Sequence, residues 1–169
     1  DWGNIYDISK LLEESGAPYD TTNKLWSLPG QANYDSSASP INAFHYFEEP
    51  LYGYYASWDQ WVIRKHLQLL SFAGIDYLYL DFTNANMNGK NPVNLYPKAT
   101  YALMDVILEM QAEGYNVPKI VPMVCNNTQS DQTIMKVVEW VYNNYYAYNN
   151  FRYKSCWFTA DPVRNPSGK

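Results

Sequence analysis

Two carboxylates in this sequence stand where acid–base chemistry could be done. Asp81 closes the apolar run Ile75 Asp76 Tyr77 Leu78 Tyr79 Leu80, and Glu49 sits in a stretch crowded with Tyr46, Phe47, Tyr52 and Tyr54. A carboxyl group among aromatic rings is partly desolvated and titrates high. Paired with an ionised carboxylate, it supplies what cleavage of a glycosidic bond requires, and a separation of about 5 Å or of about 6.5 to 9.5 Å selects retention or inversion. Glu49 and Asp81 are therefore the candidate catalytic pair. Each also has a structural reading: Asp81 could accept loop N–H groups or pair with Arg64, and Glu49 could cap a neighbouring helix.

Around this pair lie groups suited to binding a sugar. Flat amphipathic rings stack on the apolar faces of pyranoses, while amides and hydroxyls match their hydrogen bonds. The candidates are His45, Tyr46, Tyr52, Trp58, Asn84, Asn126 and Asn127, with Asn86 beyond Asn84. His45 could shuttle a proton or simply pack against its aromatic neighbours. Trp58 could be a stacking platform or a staple at a helix start. Asn126, Asn127 and Thr128 form a glycosylation sequon, although hydrogen bonding to a substrate is the better use of the two amides. His66, on a helical face with Val62 and Leu69, reads as core or interface.

Other chemistries lack their residues. No metal-ligand spacing, phosphate-cradling glycine loop or nucleophile elbow is present, so neither a cofactor nor a metal is expected. A net charge of -5 and the absence of a Lys/Arg cluster argue against nucleic acid and against an anionic membrane surface. No apolar run approaches the ~18 to 20 residues of a membrane span, and Asp1 Trp2 Gly3 Asn4 does not resemble a signal peptide. Charged residues make up 17% of the chain, below the roughly 25% of soluble domains, while Tyr (17) and Trp (6) are abundant. The surface should therefore be rich in Tyr, Asn, Ser and Trp, which suits carbohydrate, although Tyr and Asn enrichment can also reflect genome composition. Cys125 and Cys156 lack zinc spacing and are expected to be free, buried thiols, with a bridge between them as the alternative.

The elements that would position these residues follow from periodicity. The segment before Ser57 holds Gly3, Gly16, Pro18, Pro29, Gly30 and a polar run from Tyr34 to Ser39, and reads as loop with a helical candidate at Asp7 to Ser15. From Ser57, a candidate N-cap, Val62, His66, Leu69, Leu70 and Ala73 recur at helical spacing up to Gly74. The run Ile75 to Leu80 follows as a strand apolar on both faces. The unit then repeats: a helix from Pro97 to Glu113 burying Leu103, Met104, Ile107 and Met110, a stop at Gly114, and a strand from Ile120 to Cys125. A third helix from Ser130, with Ile134, Val137, Val138 and Val141 on one face, leads to a possible third strand around Cys156, Trp157 and Phe158.

Helix and buried strand alternating at about 40 residues per unit imply parallel βαβ units. The expected fold is α/β, a partial (β/α)8 TIM-like barrel with about three parallel strands, since a whole barrel needs about 250 residues and the chain has 169. A small open three-layer sheet is the alternative. Residues 1–169 are expected to form one domain, an internal fragment of a larger barrel, loop-rich over 1–56 and repetitive over 57–169. Alone, such a piece should be neither a stable monomer nor an active hydrolase, because sheet edges and the inward face would lie open. It would then associate with the remainder of its own barrel or with a larger assembly.

The segment from His45 to Ala85, HYFEEPLYGYYASWDQWVIRKHLQLLSFAGIDYLYLDFTNA, resembles bacterial glycoside-hydrolase-like barrel proteins related to the endo-α-mannanase and α-1,3-glucanase barrels. The resemblance rests on Glu49 to Tyr55, on Asp59 through Asp76, and on Asp81 Phe82 Thr83 Asn84, with Tyr6 to Leu12 and Cys156 to Phe158 as further landmarks. Glu48 departs from the glycine usual in that family. The resemblance implies a barrel acting on or binding polysaccharide, in a secreted, periplasmic or cell-surface bacterial setting. It also implies a carboxylate on a later motif that this sequence does not contain. A barrel that keeps the fold and binds carbohydrate without cleaving it is the competing expectation.

Overall fold

The computed structural model describes residues 6–7, 45–46, 48–88, 90–124 and 131–159. The chain divides into two compact units, Asp1–Tyr54 and Tyr55–Lys169. The division falls close to the change in pattern at Ser57.

In the first unit, β1 (Tyr6–Asp7) pairs in parallel with β2 (His45–Tyr46), Tyr6 opposite His45 and Asp7 opposite Tyr46. This corrects the reading of both places as loop and of Asp7 as a helix start; residues 8–15 of the helical candidate lie outside the described residues. Two-residue strands carry too little periodicity to register in sequence, and their pairing is set by tertiary context. A tight turn follows, in which the Gly53 N–H donates to the Pro50 carbonyl at 2.8 Å and Gly53 takes a φ of 71°.

The second unit holds α1 (Gln60–Phe72), β3 (Tyr77–Asp81), a hairpin of β4 (Asn86–Asn88) and β5 (Asn91–Val93), α2 (Pro97–Ala112), β6 (Lys119–Met123) and α3 (Asp131–Val141). A π-helical turn, Tyr142–Tyr146, and a 3₁₀ turn, Lys154–Cys156, close the described chain. The cap of α1 is Asp59 and not Ser57: its carboxylate accepts from the N–H groups of Trp61 (3.0 Å) and Val62 (3.1 Å). A carboxylate outcompetes a hydroxyl here because it also answers the positive end of the helix dipole.

Both helices hand over to their strands through the same device. Ile75 N–H reaches the Leu70 carbonyl and Gly74 N–H that of Ser71; Tyr115 N–H reaches Met110 and Gly114 N–H reaches Gln111. These are paired Schellman bonds, and they need the left-handed glycines Gly74 (φ 73°) and Gly114 (φ 89°).

β3 and β6 then pair in parallel, from Tyr77 opposite Lys119 to Asp81 opposite Met123. The expected third strand is reduced to one parallel bridge between Ile120 and Trp157, with Phe158 N–H donating to the Ile120 carbonyl. Its reason is local: the N–H groups of Cys156 and Trp157 bond back to Tyr153 and Lys154, so neither is free for a ladder.

The core lies on one side of this sheet. Met104, Ile107 and Met110 of α2 are fully buried with Ile120, Val137 and Tyr145, and Leu78 and Leu80 pack against them. Burying each such side chain contributes about 1.5 to 3 kcal/mol. On the other face Tyr77, Tyr79 and Asp81 are exposed, so β3 alternates and is not buried on both faces. The sequence pattern Tyr-Leu-Tyr-Leu is a period of two once tyrosine is counted as amphipathic. Leu69 (59%) and Val138 (43%) also prove exposed, off the buried stripes of their helices.

Candidate functional site

Asp81 is the last residue of β3, at the C-terminal edge of a parallel pair, where backbone ladders end and side chains are free for other work. The ladder runs one bond further, from Phe82 N–H to the Met123 carbonyl at 3.0 Å, and the chain then turns, Ala85 N–H donating to the Phe82 carbonyl at 2.9 Å. Inside that turn Thr83 donates its backbone N–H (2.9 Å) and its hydroxyl (2.6 Å) to Oδ1 of Asp81. These two bonds, the hydroxyl first, hold the exposed Asp81 carboxyl below the usual carboxylate range. The loop N–H reading of Asp81 is thus realised. The Arg64 pairing is not, because Arg64 forms ion pairs across to α2 with Glu113 and, at 3.8 Å, Glu109.

A cleft of about 480 Å³ opens beside Asp81, lined by Ser57, Ile63, Tyr79, Leu80, Phe82, Tyr96, Ala99, Thr100 and Leu103. Its walls are apolar except for Asp81, the hydroxyls and the two tyrosines. Tyr79 and Tyr96 are 61% and 51% exposed, so each ring has a free surface for a flat ligand to lie on. Sequence alone singles out neither. Tyr79 reads there as part of a buried strand, and Tyr96 sits in a loop whose distinguishing feature is conformational: it caps α2 with a left-handed φ of 47° and no side-chain cap bond. A non-glycine residue held there costs of the order of 1 kcal/mol or more.

The other expected site residues are scattered. Asn84 is exposed in the turn after Asp81, and its carbonyl accepts from Asn94 Nδ2 at 3.0 Å. Asn86 turns its amide oxygen onto the N–H of Met87 at 2.7 Å. Trp58 is 43% exposed, but the Lys98 ammonium lies 3.7 Å from its ring centroid and occupies one face. Glu49 is exposed and Tyr52 half-buried in the first unit, whereas Asp81 belongs to the second. Beyond the backbone of β2, the side chains of His45 and Tyr46 lie outside the described residues, as do Asn126, Asn127 and Cys125. His66 is exposed and edge-on to Tyr55, ring centroids 5.9 Å apart, which overturns the core alternative of its core-or-interface reading. Cys156 is a free, buried thiol, pushed up to about 12 by desolvation.

Among the described residues, no three His, Cys, Asp or Glu side chains come together in a way that could hold a metal ion. No helix among them is long and apolar enough to cross a membrane. Comparison with protein-family models, with curated proteins and with solved structures gives no match for this chain.

Proposed function

We propose that this chain forms the Asp81 side of a carbohydrate-active (β/α) barrel, acting on O-glycosidic bonds in a polysaccharide or glycan. The observation that carries the reading is Asp81 itself: an ionised carboxylate at the C-terminal end of a parallel strand, opening on a cleft walled by Tyr79 and Tyr96. Parallel α/β sheets use that end of their strands for ligands. The cleft is of a size for one or two sugar rings, and exposed tyrosines suit their apolar faces.

The depressed titration of Asp81 suits it to the base or nucleophile role, not to the proton donor. A donor carboxyl must come from elsewhere. The sequence resemblance favours a secreted, periplasmic or cell-surface setting and needs no cofactor.

One observation favours a second reading, a barrel that binds carbohydrate without cleaving it: Asp81 is the single carboxylate among the residues lining the cleft. A glycan array followed by product analysis on the full-length protein separates the two. Hydrolysis lost in Asp81→Asn supports the enzyme. Retained binding without any product supports the binder, and no glycan bound by the intact protein would sink both.

A further inference from the structure

A cavity of about 920 Å³ lies at the other end of the strands, bordered by the residues leading into β3 and β6 and by the segment from Phe151 to Thr159. Lys119, Arg152 and Lys154 line it against one acid, Asp76, in a protein whose net charge is -5. Their charges are only partly answered. Arg152 pairs with Asp105 at 3.0 Å, Lys119 donates to the neutral carbonyl of Ser155, and Lys154 is exposed with no ion pair among the described residues.

A second observation falls on the same lining. Trp157 is 9% exposed, and its indole Nε1 is buried with no hydrogen-bond partner. Leaving such a donor unsatisfied costs about 1 to 3 kcal/mol. The edge-to-face contact with Tyr146, centroids 5.8 Å apart, offers at most a weak π acceptor. Tyr77 and Phe158, with ring centroids 5.1 Å apart and planes tilted by 48°, add an aromatic wall.

We propose that this cavity binds a small organic anion, a phosphate, sulfate or carboxylate group carried on a flat ring. The cations hold the charged group and the aromatic wall takes the ring, with the buried Trp157 at the lining as a reporter of occupancy. The site is separate from Asp81, since the five residues of β3 place its two ends about 13 Å apart.

The test uses the full chain labelled with ¹⁵N, titrated with phenyl phosphate, phenyl sulfate, benzoate and neutral phenol. The indole N–H signal of Trp157 is assigned with Trp157→Phe, and affinities come from calorimetry. At least one anion should shift that signal saturably, and Lys154→Gln should weaken it about tenfold, the worth of one charge-assisted hydrogen bond. Which anion binds best identifies the charged group. Lys154 is exposed, so its loss should leave the melting temperature unchanged; Lys119→Met serves as a second variant if it too stays folded. Phenol binding as tightly as the anions, unchanged affinity in Lys154→Gln, or no saturable shift at about 10 mM of any anion would each overturn the proposal.

Discussion

The hydroxyl of Tyr145 reaches the carbonyl of Leu95 at 2.8 Å, tying the π-helical turn to the residue just before the strained cap of α2. Both residues are fully buried, and Tyr145 also meets Tyr101 and Trp140 edge-on. Tyr145→Phe keeps the ring packing and removes the bond. Its expected cost is about 0.5 to 1.5 kcal/mol in urea unfolding, at the lower end because the Thr100 hydroxyl also reaches that carbonyl.

Alkaline pH should destabilise the fold. Burial, first among the causes, raises Tyr145 and pushes Tyr153 and the Cys156 thiol up to about 12. The folded state then holds protons that the unfolded chain gives up from its ordinary 9.0 for cysteine and 10.0 for tyrosine. With more protons bound when folded, stability is full below pH 9 and falls as pH climbs towards 12. Melting temperatures across that range check the sign; a flat or rising profile would contradict it.

Thr83→Val removes the stronger of the two bonds on Asp81 and leaves the backbone one. The Asp81 carboxyl should move back up towards its ordinary value, seen by NMR titration of the side-chain carboxyl. If Asp81 works as base or nucleophile, the acid limb of the pH–rate profile shifts upward with it. Stability should barely change, since the group is solvent-exposed.

Gly74→Ala and Gly114→Ala should each cost about 1 to 2 kcal/mol. A Cβ at either position meets nothing within 4 Å, so the loss is backbone strain alone. Thermal denaturation of the two variants and their double tests it, with near-additive losses expected because the motifs share no partner.

Much of the second unit is legible in sequence because its signals are local. The glycine stops, the buried stripe of Met104, Ile107 and Met110, and the two strands that they precede follow from spacing alone. What escapes depends on partners distant in the chain. The pairing of Tyr6 with His45, the hairpin of Asn86 with Val93 and the back-bonding that shortens the strand at Trp157 have no periodic signature. At the candidate site, Asp81 is readable as a strand end. Tyr96 is not, because a left-handed cap is a conformation and not a residue pattern.

The Schellman joint before β3 has a consequence for how this sequence can change in length. It anchors Ile75 to Leu70, and from there only Asp76 separates the joint from the strand. Which face Asp81 presents is thus a matter of parity. Deleting or adding one residue at that point would rotate the strand by half a pleat cycle, sending Tyr79 and Asp81 into the hydrophobic core and Leu78 and Leu80 into water. Insertions and deletions there should survive in even numbers or not at all, whereas the hairpin loop around Lys90, past the end of β3, carries no such arithmetic.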